Sequence, residues 1–82
     1  MMTIVTPEAR MLRIRRIALG YSQQYVADVV GIQLRQYQRL EYDEISIGRM
    51  HMKTGLKICR LLGIDPYELV FKGEPVLFTE ER

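Results

Sequence analysis

The sequence predicts an all-α fold, a compact five-helix domain over residues 1–72 with a short tail at 73–82. Three observations predict it. Helix-start signals recur at Thr6-Pro7, Ser22 and Asp65-Pro66-Tyr67-Glu68. Glycines able to end a helix stand downstream of starts at Gly20, Gly31 and Gly63. Between starts and stops, apolar residues recur at three- and four-residue spacings that line one helical face.

Met1 to Val5 reads as a short uncapped arm. Pro7 at a first helical position has no N–H to leave unsatisfied, so helix 1 runs from Pro7 to about Leu19. Leu12 and Leu19 lie on one side of it, and Met11, Ile14, Ile17 and Ala18 on another; periodicity does not choose between them. Ser22 caps helix 2, which begins at Gln23, carries Val26, Ala27, Val29 and Val30 as its apolar stripe, and stops at Gly31. Gln33 starts helix 3, with Tyr37, Leu40 and Glu41 to one side and Arg35, Gln38, Arg39 and Tyr42 to the other. The connection DEISIGRMH follows, in which Ile45 and Ile47 read as two loop anchors rather than an extended piece. Helix 4 spans about Met52 to Leu62, with Leu56, Cys59 and Leu62 inward and Gly63 closing it. Asp65 to Glu68 is a capping box with Pro at N1, which starts helix 5. In the tail, Val76, Leu77 and Phe78 are too apolar for a purely solvated end.

The chain of 82 residues has length for one small domain. It has a single cysteine, Cys59, no apolar run near membrane-spanning length and no signal-peptide pattern, so a cytoplasmic protein without membrane association is expected. The net charge of +2 says less than its distribution: residues 1–42 carry +3, residues 43–64 carry +2 and residues 65–82 carry −3. The acidic end is expected to stay away from phosphate. His51 and Cys59 are too few to hold zinc, and no nucleophile triad or phosphate loop can be assembled. Neither an enzyme nor a cofactor is expected.

Residues 22–42 resemble the helix-turn-helix of lambda-type phage repressors and Cro proteins. Ala27 stands where the family has a small residue at the helix crossing, Gly31 at the turn, and Val26, Val30, Ile32 and Leu40 at apolar positions. Tyr37 departs from the pattern, replacing a small β-branched residue, so either the packing is looser there or its hydroxyl reaches a partner. The connection after helix 3 is about three residues longer than the family's commonest spacing. The resemblance implies that helix 1 buries the side of Leu12, Arg16 and Leu19 with Ile17 partly covered. It also implies an ion pair between Arg16 and Glu41.

The resemblance further implies duplex DNA as partner, read in the major groove by helix 3. Arg35, Gln38 and Arg39 are the first candidates, because Arg can bind guanine and Gln adenine through two hydrogen bonds each; without the preceding helix-turn they would read as a solvated face. Gln23 is a candidate phosphate contact and Gln33 a weaker one. Leu34 meets a thymine methyl or packs at the edge, and Tyr42 stacks or donates to phosphate, with packing as its alternative. Gln36 completes the DNA-facing set. Arg49, Lys53, Lys57 and Arg60 either extend a phosphate track or form a solvated face. A homodimeric repressor is expected, with Leu69, Val70, Phe71 and Val76 to Phe78 at the dimer interface; the alternative for the tail is that it folds back over the domain's own small core. The alternative is an antitoxin-like module that covers a partner protein and autoregulates through the same helices.

Overall fold

The computed structural model describes residues 7–71, and these fold into five α-helices and one 3-10 turn. The helices are α1 Pro7–Ala18, α2 Gln23–Val30, α3 Leu34–Glu41, α4 Met52–Leu62 and α5 Pro66–Val70; the turn is Ile47–Arg49. The arm at 1–5 and the tail at 73–82 lie outside the described residues.

Several boundaries follow from local chemistry, and one is completed by a side chain from another helix. The Ser22 hydroxyl accepts the Tyr25 N–H at 2.9 Å and opens α2. Gly31 closes it in the left-handed region at φ 85°, with its N–H donating to Ala27 O at 2.9 Å. Gln33 is the N-cap of α3 rather than its first residue, and its N–H donates to Gln36 Oε1 at 3.0 Å. Asp65 accepts the Tyr67 N–H at 2.9 Å ahead of Pro66. At the end of α4, Arg15 Nε donates to Leu62 O at 3.0 Å, so a side chain from α1 satisfies a carbonyl that the helix leaves unpaired.

The core joins Leu12, Val26, Ala27, Val30, Tyr37, Leu40, Ile47, Ile58, Cys59, Leu62, Ile64 and Leu69. Several expected phases are corrected by it. On α1, Ala9 and Leu12 are the buried pair, whereas Leu19 and Ile17 are exposed. The helix stops at Ala18, Gly20 turns the chain away at φ 77°, and the last inward position is used by Arg16. On α4 the inward stripe is Gly55, Ile58, Cys59 and Leu62, and Leu56 is exposed. Gly55 faces the 3-10 turn, and a Cβ there would stand in ordinary contact, 3.5 Å, with Ile47 Cγ1, so the turn rests on α4 at this position. Val29 is exposed, one residue off the stripe of Val26, Ala27 and Val30. Ile47 is buried and Ile45 packs at the core's edge, in a turn with no extended piece.

The long connection is tied down from α1. The Glu8 carboxylate accepts the Ser46 hydroxyl at 3.1 Å through one oxygen and the Ile47 N–H at 2.5 Å through the other. This fixes where the chain re-enters the body after α3, and hence how α3 is presented.

Candidate nucleic-acid interface

Helix α3 is held from beneath by one buried carboxylate. Glu41 is 4% exposed, and Arg16 grips it with two N–H groups, Nε to Oε2 at 2.6 Å and Nη2 to Oε1 at 3.1 Å. Arg16 Nη1 also donates to Tyr21 O at 2.8 Å, so one guanidinium ties α1 to both the α1–α2 link and α3. The Tyr37 hydroxyl donates to Glu41 Oε2, and Gln23 Nε2 donates to Glu41 Oε1 at 3.0 Å. Tyr37 is fully buried, and of the two readings its position allowed, the partnered hydroxyl is the one found.

The charge states follow. Burial alone would raise the Glu41 pKa, but the hydrogen bonds from Arg16, Tyr37 and Gln23 outweigh it and hold the carboxyl below its ordinary value. The hydrogen bond to Glu41 raises the Arg16 pKa, and burial followed by the bond to Glu41 raises that of Tyr37. The cluster is therefore a carboxylate facing a guanidinium and a neutral phenol.

From this cluster the order runs outward. Gln23 turns its NH2 inward to Glu41, which leaves its oxygen to accept from Gln38 Nε2 at 3.2 Å. Gln38 keeps its Oε1 and a second N–H, the acceptor and donor that an adenine edge requires. The Gln23 side chain is thus engaged inside the protein. At this end of α2 the Tyr25 and Val26 N–H groups are taken by Ser22, which leaves the Gln23 and Gln24 N–H groups as the unpaired donors a helix N-terminus can present to an anion.

On the outer face of α3, the Arg35 and Arg39 side chains are exposed. Gln33 and Gln36 are exposed beside them, but Gln36 Oε1 is committed to the start of the helix. Leu34 and Gln38 are partly covered, and Tyr42, at the C-terminal cap of α3, is exposed. Beneath, Ala27 is fully buried, and its carbonyl accepts from both Gly31 and Ile32. The two helices of the unit meet there, as the small residue and the turn glycine allow.

Residues 12–69 match the family model described as Helix-turn-helix. The chain belongs to the lambda-repressor/Cro-like helix-turn-helix family. It is a DNA-binding helix-turn-helix protein of the regulator class. No curated protein and no solved structure matches the chain. The match spans α2, α3, α4 and most of α1 and α5, so the connection through Ser46 and Ile47 lies within it.

Arg49, Lys53, Lys57 and Arg60 are exposed, which is compatible with a phosphate track and with a solvated face alike. Among the described residues, no helix is long and apolar enough to cross a membrane, and no three His, Cys, Asp or Glu gather as a metal site. Sequence reasoning missed Glu44. Its Oε1 accepts from Arg35 Nη2 at 2.7 Å and lies 3.8 Å from Arg39 Nε. Helical periodicity links positions 35 and 39 but not 44, because the chain leaves the helix before Glu44; a carboxylate just past a basic helical face was the only trace.

Proposed function

We propose that the protein is a sequence-specific transcriptional repressor that reads the major groove of duplex DNA with α3, as a homodimer, in the cytoplasm. The observation that carries this reading is the outer face of α3, where Arg35 and Arg39 stand exposed beside Gln38, on a helix whose inner face is locked by Glu41. A helix already rigid before binding has little backbone freedom to lose, which favours base contacts that need fixed geometry over loose phosphate contacts. Repression is favoured because occupancy of a promoter suffices for it, with no further contact to polymerase required.

Arg35 is the proposed guanine contact, since it lies in the first turn of α3 opposite the buried face. Sequence selection from random duplexes, run on the parent and on Arg35→Ala, tests this. The parent is expected to recover a two-fold symmetric site. Arg35→Ala is expected to bind it more weakly by about 1–3 kcal/mol and to lose preference at one position per half-site. Thermal stability is expected to stay the same, because an exposed ion pair such as Arg35 with Glu44 contributes little. Equal affinity and equal selectivity in the variant defeat the assignment.

The domain proper is proposed as residues 1–72, with 73–82 as a segment that assists dimerisation. Support for an interface at this end comes from a cleft of about 490 Å³ between α4, α5 and the 3-10 turn, lined by Met52, Leu56, Tyr67, Val70 and Phe71 among others. Leu69, earlier assigned to the interface, is 1% exposed and belongs to the core, so Val70 and Phe71 carry that role. Val76 to Phe78 lie outside the described residues. The same cleft favours the second reading, an antitoxin-like module whose apolar surface covers a different protein.

A further inference from the structure

Asp43 is the non-glycine residue with positive φ among the described residues, at 64°. It stands just past the cap of α3, where helices that end in a left-handed turn usually carry glycine. The two bonds of that turn are present: Asp43 N–H donates to Leu40 O at 3.3 Å and Glu44 N–H to Arg39 O at 2.8 Å. The reversal carries Glu44 back along the outer face of the helix it has just left. There a single oxygen of its carboxylate meets both arginines, Arg35 Nη2 at 2.7 Å and Arg39 Nε at 3.8 Å.

These three side chains are open to water, at 59%, 48% and 42% exposure for Arg35, Arg39 and Glu44. An ion pair of that kind adds little to stability. Its location, on the face proposed to read DNA, is what gives it a consequence. We propose that Glu44 is a specificity-setting residue of the DNA interface, acting by holding Arg35 and Arg39. This rests on the reading of α3 as the recognition helix.

Glu44 acts differently on charge and on hydrogen bonding. A phosphate backbone attracts net charge at a distance, and Glu44 cancels about half of what Arg35 and Arg39 together present. A guanine edge needs two aligned N–H groups at contact, and Glu44 takes one N–H of Arg35 while leaving the rest of the fork available. Held in this way, Arg35 also enters the groove with fewer rotamers to lose. Glu44 therefore weakens sequence-independent binding more than it weakens binding to the correct site.

The test measures binding of the parent and Glu44→Gln to the selected duplex and to a random duplex over a range of salt. Glu44→Gln is expected to bind the random duplex roughly two- to fivefold tighter per protomer, with a salt slope steeper by about one. The selected duplex is expected to gain less, so the ratio of the two affinities falls. The random-duplex gain is expected to vanish when Arg35 and Arg39 are both alanine. An equal gain on both duplexes, no change on either, or a gain that persists without the arginines overturns the role given to Glu44. A parent that binds no duplex even at low salt overturns the DNA reading itself, and the role of Glu44 with it.

Discussion

Glu41 brings a negative charge into the core, and three side chains compensate it. Such a site costs more to break than it contributes when whole, because removing one partner strands the other in a medium that solvates it poorly. Arg16→Met or Glu41→Gln is therefore expected to cost about 3 kcal/mol, read as a lower midpoint in urea denaturation. The acid response follows from the direction of the Glu41 shift. Because its folded pKa lies below the ordinary value of 4.5, its contribution is complete above that pH and is lost as pH falls through the folded pKa. The parent is expected to lose stability on acidification below about pH 4.5 more steeply than Glu41→Gln, compared by urea titrations at pH 7 and pH 3. A variant that matches the parent in both midpoint and acid slope shows that the carboxylate is solvated.

At the scale of elements, α2 and α3 end in left-handed turns made by different residues. Gly31 adopts φ 85° without steric cost, and a Cβ placed there would meet nothing within 4 Å. Gly31→Ala is therefore expected to cost only the backbone term, about 1–2 kcal/mol, with no packing penalty. Asp43 adopts a similar conformation with a side chain present. Asp43→Gly is expected to relieve the backbone term by up to about 1 kcal/mol, offset by whatever its side chain contributes through its own interactions, measured by thermal denaturation of both variants beside the parent. A stabilising Gly31→Ala shows that the turn after α2 is not built as described. Since Asp43 directs Glu44 onto Arg35 and Arg39, some strain at this turn has a use in presenting the reading face.

At the scale of the whole molecule, the charge gradient and the apolar cleft assign opposite ends. The basic portion contains α3, while the stretch from residue 65 is acidic and contains α5. A dimer formed through the α4–α5 cleft would leave both copies of α3 free to enter successive major grooves, about 34 Å apart. Phe71→Glu is expected to convert the proposed dimer to a folded monomer in analytical ultracentrifugation, since Phe71 is exposed and lines the cleft rather than the core. Binding to the two-half-site operator should then fall far more than binding to a single half-site. A variant that stays dimeric places the interface elsewhere, and a parent that is monomeric favours a different protein as occupant of the cleft.

Helix starts and stops were legible in the chain because capping is local. A Ser hydroxyl, an Asp ahead of Pro, or a glycine free to take positive φ acts within four residues of itself; α2 begins and ends where such residues stand, α4 ends at one and α5 begins at one. The helix-turn-helix was legible for the same reason, since Ala27 and Gly31 are spaced along one short unit. Which face of each helix turns inward was not. Leu19, Val29 and Leu56 are as apolar as their buried neighbours, and their exposure depends on distant contacts: Ile47 settling on Gly55, Arg16 reaching Glu41, Glu8 anchoring the connection. The partners of the reading face lay further out of reach. Glu44 comes back to Arg35 and Arg39 only because the backbone reverses at Asp43, and Gln38 is oriented by a carboxylate two hydrogen bonds away. Short-range sterics and capping act within a turn of the chain and are written in its residues, whereas hydrogen bonds between elements depend on where whole helices come to rest.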